Sequence, residues 1–538
     1  MQRSGASSGE SSGAAPGDGS GATRAAGSGA TTGQRSGAAP GAADAEIVRL
    51  TTDGLTAEEI GRLARGATLE PAPEVLERVR ASRAVVDRAL EGEVMIYGLN
   101  TGLGSRRDRR VSREDLGRFQ VQMVMDHAGG VGAPLPDEDV RAIMAARIAG
   151  IARGGSGAHP GAFDTLVAML GAGVHPIVPA IGSVGASDLM HMAAIAMVLM
   201  GRGEARLEGR TMPGGEALTR AGIAPHRLRP KDGLALISGN GASIGLGALA
   251  ALEAERTALL ADVAGALTLE AIAGNAGPFD DEAARAKPLP GQIAAAAHLR
   301  DLLAGSELTQ PGRSSVQDPL SFRVMPQVHG ALRDQVAAAR EGVEVELNAV
   351  GDSPLVSIER DRLLSTGNFH PMGLALAFEA VRIALAHAGM LSERRMNKLV
   401  TAIYGEASFE FGTEEPERYS VPGLVIYSAA ALLSELKQLA APVTLHCPPL
   451  DLDVEDHATL APQAVMLARR SLLVLEMVLA IEVLVAISAL EDQPRLPGLG
   501  RGTRPVYEVV RETLEPLDGN ASAATVVERV RARLLEIA

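Results

Sequence analysis

The sequence predicts a mainly α-helical protein, a long up-and-down helical bundle preceded by a smaller, loop-rich α region. Two observations carry this. Segments of roughly 15 to 30 residues with helical apolar periodicity fill the second half of the chain, and the connections between them are short. The chain's 538 residues also supply ample apolar material for a dry core. The faces of these helices are too apolar to stand alone in water, so self-assembly is expected, and closed symmetry admits a tetramer.

Taken in order, residues 1–45 are mostly Gly, Ser, Ala and Thr and are expected to form a disordered tail. An N-terminal region, 46–240, follows, and then the central and C-terminal bundle, 241–538. Helices are predicted at 56–65, opened by Thr56 with Glu59 three residues on, and at 72–91. Residues 95–104 carry Gly98, Gly102, Gly104 and Asn100, and so read as a loop. Tyr97 on such a loop can approach and leave a site. Pro176 and Pro179 then stop one element, and Gly182 and Gly185 permit a tight, exposed loop with Ala186 and Ser187 at its apex. A helix at 190–200 follows. A long helix at 242–273 comes next, its glycines serving close backbone packing, since Gly239, Gly241, Gly245 and Gly247 lack a dinucleotide-binding context. Further helices are predicted at 326–347, 373–399, 424–439, 461–490 and 506–536.

Composition narrows the function. A net charge of −14 argues against general binding of nucleic acid or membrane surfaces. The single cysteine, Cys447, rules out an intrachain disulfide framework and fits a reducing compartment. No apolar signal segment opens the chain. The most apolar window, 471–490, carries Glu476 and Glu482, which points to burial among helices rather than in lipid. A soluble, cytoplasmic protein is expected. His159, His175 and His191 lack metal-ligand spacing and are expected to be structural. The acidic run Asp451, Asp453, Glu455 and Asp456 lacks the glycine that a calcium loop requires at its sixth position. No metal is expected.

The segment Gly182-Ser183-Val184-Gly185-Ala186-Ser187, followed by Asp188-Leu189, resembles the self-modifying loop of the histidine and aromatic amino-acid ammonia-lyases. Further segments in the same order extend the resemblance over nearly everything after residue 46. Tyr97-Gly98-Leu99-Asn100-Thr101-Gly102-Leu103-Gly104 implies Tyr97 as the base that takes the substrate proton. His127, before Ala128, is implied near the substrate side chain. Gln317-Asp318-Pro319-Leu320-Ser321-Phe322-Arg323 implies that Arg323 holds the substrate carboxylate, a task suited to a planar guanidinium. Residues 348–354 resemble a further family turn. Gly367-Asn368-Phe369-His370 places Phe369 near the active centre, and Val454-Glu455-Asp456-His457 implies that Glu455 faces the substrate. The resemblance implies a homotetramer whose sites are each built from several subunits, acting on a small-molecule substrate, an amino acid or its betaine.

Three positions depart from the family. In the family Ala-Ser-Gly cyclises to a methylidene-imidazolone, an electrophile that captures the substrate amine. Here the cyclising Gly is missing and Ser187 runs into Asp188. Ser238 stands where the family has an Asn that helps build the ring, and Leu320 replaces a Tyr. All three belong to the half of the site that makes or uses the electrophile, whereas Tyr97, Arg323 and Glu455 remain. Asp188 has a backbone amide, so Ala186-Ser187-Asp188 is not barred from closing a ring, but its Cβ disfavours the compressed turn. No external cofactor is expected. The resemblance therefore implies a carbon–nitrogen lyase yielding an α,β-unsaturated acid. It includes ergothionase-like lyases, which expel trimethylamine without the ring. An ordinary ammonia-lyase or aminomutase, and a non-catalytic paralogue of the same fold, stay open.

Overall fold

The computed structural model describes residues 46–309, 316–404, 424–491, 498–517 and 521–537. The predicted 1–45 tail lies outside them. Among the described residues five long helices make the bundle: Gly241–Ala271, Met325–Leu347, Met372–Tyr404, Val425–Leu439 and Ala461–Glu491. Ala461–Glu491 lies at its centre, packed on Gly241–Ala271, Met372–Tyr404 and Val425–Leu439. Gly241–Ala271 is mostly apolar and nearly all of it is buried, with a short polar patch at Glu253, Glu255 and Arg256 left toward the surface. Close approach explains its glycines. A Cβ on Gly245 would sit 2.6 Å from the backbone of Ala142, on the crossing helix Asp137–Ala152.

Three helical stretches, Asp232–Ala271, Met372–Thr401 and Ala461–Glu491, are long and apolar enough to cross a membrane by length and composition. The acidic residues inside the last of these are matched by protein partners. Glu482, fully buried, takes Arg395 Nε at 2.5 Å and Nη2 at 2.8 Å, and accepts from Thr268 Oγ1 at 2.8 Å. Glu476 accepts from Thr257 Oγ1 at 2.9 Å and from Arg531 Nη1 at 2.7 Å.

The predicted elements fall close to the observed ones. Thr56 caps Ala57–Ala64 with both hydrogen bonds of the capping box in place, and Pro73–Glu91 forms the second helix. The C-terminus corrects the sequence reading: 506–536 is two helices, Thr503–Leu514 and Ala523–Ile537. Pro516 lies just past the first of them. It lacks an N–H for the ladder, and its ring would clash with the preceding turn. Among the described residues strands are few and short. One pair matters for the site: Val131–Pro134 runs antiparallel to Pro179–Ile181 and fixes the chain as it enters Gly182.

Candidate active site

The 182–188 loop is tight, as expected, but it is not exposed: Ser183, Gly185, Ser187 and Asp188 are buried and Gly182, Val184 and Ala186 half-buried. Ser187 and Asp188 are almost inaccessible because elements distant in sequence take up the loop's backbone groups. The Ser183 carbonyl accepts from Gln463 Nε2 at 2.7 Å, the Val184 carbonyl from Leu460 N at 2.8 Å and the Gly185 carbonyl from Thr459 Oγ1 at 3.0 Å. His191 Nδ1 lies 2.8 Å from Ser183 Oγ, so this histidine braces the loop from behind. Gly185 has φ +87° and a Cβ there would overlap Thr459 Oγ1. Gly185→Ala is therefore expected to lower stability by about 1–3 kcal/mol, read as a shift in denaturant midpoint.

The apex carries the informative geometry. Ser187 has φ 58°, and its N–H donates to the Phe369 carbonyl at 3.0 Å. Its Oγ accepts from Gly239 N at 3.2 Å. The Asp188 N–H donates to the Gly239 carbonyl at 2.9 Å. The Asp188 carboxylate accepts from Ser243 N at 2.6 Å and Ser243 Oγ at 3.1 Å, which caps the first turn of Gly241–Ala271. Burial pushes this carboxyl up, while the neighbouring His191 and the Ser243 bonds pull it down. Ser238, also buried, ends the helix Asp232–Ile237 one residue before Gly239. Beneath Gly239 lies the buried ion pair Arg147–Asp352, at 2.7 Å.

Around this floor stand the other predicted residues. Tyr97 lies on the turn after Pro73–Glu91, which Asn100 ties by accepting from Ile96 N at 2.7 Å and donating to the Val94 carbonyl at 2.8 Å. Its hydroxyl accepts from Gly104 N at 3.1 Å. The side chain is 38% exposed, so its burial is only partial; that partial burial raises the phenol, the Glu455 and Asp451 carboxylates add to it, and Gly104 and Arg107 oppose it. Glu455 is itself raised by burial and by Asp451, and lowered by His127. His127 ends the helix Leu116–His127, with Nδ1 2.7 Å from the Met123 carbonyl. Phe369 is held to the apex through its carbonyl. Its neighbour His370 places Nε2 3.0 Å from His457 Nδ1, and burial lowers His370. One chain brings Tyr97 and His127 to Glu455, and sets Ala186, Ser187 and Asp188 beside Ser238 and Phe369; the His370–His457 contact, two residues from Glu455 and one from Phe369, ties the two groups.

It does not bring Arg323 or Leu320 to them. Ser321, between the two, accepts from Arg395 at 3.4 Å. Arg395 lies roughly 35 Å along Met372–Tyr404 from its start beside His370, at 1.5 Å per residue. Gly265, against Met325, lies roughly 33 Å along Gly241–Ala271 from Ser243, which agrees. Leu320 is well exposed. Sequence reasoning missed Ser243, Gly239 and His191 as the groups that hold the loop, and took Asp451 only as a rejected calcium ligand. The partners of Ser243, Gly239 and Asp451 lie 55, 52 and 346 positions away, where no local pattern marks them, while His191 reaches Ser183 only eight positions back.

The chain matches the sequence profile of the aromatic amino acid lyase family over residues 55–512. It is 45% identical over 462 residues to a histidine ammonia-lyase of Anaeromyxobacter strain K, spanning 83% of this chain and 90% of that protein. Its fold superposes on the tyrosine aminomutase of Streptomyces globisporus with TM-score 0.84 at 32% identity, covering 91% and 97% of the two chains. The ergothionase of Treponema denticola gives TM-score 0.84 at 26% identity, covering 91% and 99%. With the profile spanning most of the chain and a relative this similar over most of its length, the chain belongs to the aromatic amino acid lyase family.

Proposed function

We propose that this carbon–nitrogen lyase expels its nitrogen without a methylidene-imidazolone, by acting on a substrate whose nitrogen already departs well, such as the trimethyl betaine of an α-amino acid. The observation that carries this is the engagement of Asp188. To close a ring, its nitrogen would have to leave the Gly239 carbonyl and reach the Ala186 carbonyl carbon. That swing would pull its carboxylate off the cap of Gly241–Ala271. The buried cap opposes the movement, and the Cβ crowds the turn. The residues present do not fit the family's prosthetic group.

Tyr97, as phenolate, takes a proton from the substrate β-carbon. The C–H electron pair becomes the Cα–Cβ double bond, and the Cα–N pair leaves on nitrogen as a neutral amine, giving an α,β-unsaturated acid. A permanent cation on the substrate favours the phenolate, offsetting the burial and carboxylates that hold Tyr97 protonated. Glu455 faces that cation. Arg323 of another copy binds the carboxylate, in a homotetramer working in the cytoplasm.

Likeness to histidine ammonia-lyases favours a second reading, elimination of ammonia from a free amino acid such as histidine by a ring formed at 186–188. Intact mass of the purified protein separates the two. The first reading expects the unmodified mass, together with a new conjugated acrylate absorbance when trimethyl betaines of histidine, tyrosine or phenylalanine are supplied. Loss of two waters, with turnover of the free amino acids alone, would overturn it. No turnover across the panel would point to a non-catalytic paralogue.

A further inference from the structure

We propose that Asp451 is a positioning residue for Tyr97, clasping the Tyr97 loop to the Glu455 turn so that proton acceptor and facing carboxylate move as one body. The inference rests on the assignment of Tyr97 as base.

The geometry is specific. Both oxygens of Asp451 are spent on one residue, with Oδ2 accepting from Ser105 N at 2.7 Å and Oδ1 from Ser105 Oγ at 2.8 Å. The adjacent amide, Gly104 N, is the one that donates to the Tyr97 hydroxyl. Two successive N–H groups therefore grip the phenol on one side and the carboxylate on the other. Gly104 has φ +52°, and a Cβ there would collide with Asp451 Oδ2, so the approach depends on this glycine.

The other half of the clasp is a turn that few sequences adopt. Asp451, Leu452 and Asp453 have φ 46°, 55° and 61° in succession, all in the left-handed region that non-glycine residues avoid. Leu450 and Glu455 close the turn by exchanging backbone hydrogen bonds, at 2.8 and 3.2 Å, and Val454 N donates to the Asp451 carbonyl at 3.2 Å. Such a conformation persists only where surrounding contacts over-determine it. The bidentate hold on Ser105 is the contact that reaches out of the turn, and its far end is the loop that carries Tyr97. The charged groups facing Tyr97 are Asp451 and Glu455 from this turn and Arg107 from its own loop, while His127 faces Glu455.

Asp451→Asn removes the charge but keeps one acceptor, and Ser105→Ala removes one donor but leaves the charge. With the betaine or amino acid turned over fastest in the panel above, both are expected to lower kcat by about ten-fold or more while KM changes little. Their melting temperatures should stay near that of the parent. The titration of Tyr97, read as tyrosinate absorbance by difference from Tyr97→Phe, needs no substrate. Asp451 holds the phenol up, so Asp451→Asn should move this titration to lower pH, and Ser105→Ala should leave it nearly in place. Parent kcat and an unmoved titration in Asp451→Asn would overturn the clasp while the base assignment stands, provided Tyr97→Phe is inactive. Full activity in Tyr97→Phe would overturn both.

Discussion

Replacing Tyr97 by phenylalanine is expected to lower kcat by about 10²–10⁴-fold, the usual worth of a positioned general base, with KM little changed. Phenylalanine keeps the ring and its packing and removes only the oxygen that accepts from Gly104 N at 3.1 Å. Folding should survive. The rate of the parent should rise with pH on its acid side, because the phenolate is the working form and burial beside Glu455 and Asp451 favours the phenol. That limb should vanish from whatever activity Tyr97→Phe retains. A variant with the parental rate and pH profile would remove Tyr97 from the chemistry, whatever the substrate.

The second large effect is on stability. Arg395 and Glu482 are both fully buried and meet through two hydrogen bonds, at 2.5 and 2.8 Å. Arg395→Met should cost about 3–5 kcal/mol, because it strands a carboxylate in the bundle core. Thr268 Oγ1 would still donate to it, but a neutral hydroxyl cannot balance the charge. The double variant Arg395→Met, Glu482→Leu should recover most of the loss, since it removes both charges together. Midpoints in guanidinium at one fixed protein concentration would check this, so that any self-association contributes equally to every variant. Equal losses in the single and double variants would mean that packing, not the stranded charge, dominates.

Much of the fold was legible because long helices announce themselves. The windows at 242–273, 326–347, 373–399, 424–439 and 461–490 lie within a few residues of the helices found. Glu476 and Glu482, inside the most apolar window, pointed to protein partners, and those partners are Arg531 and Arg395. The failure at 506–536 was a proline given too little weight against apolar periodicity. At the site, Tyr97 and the 182–188 loop could be found by residue type and order. The burial of that loop could not, because Gln463, Leu460 and Thr459 cover it from far along the chain. Nor could the task of Asp188 be read from its neighbours, since a carboxylate that caps a helix starting after Asn240 looks, in sequence, like any acidic residue before an apolar run.

Asp188 and Arg323 stand toward opposite ends of the same rods. On the reading proposed above, each polypeptide lends its head to one reaction centre and its tail to another, and a solitary copy has no finished pocket to offer. Catalysis becomes a communal property, in which a defect inherited by one copy is felt wherever its neighbours borrow from it.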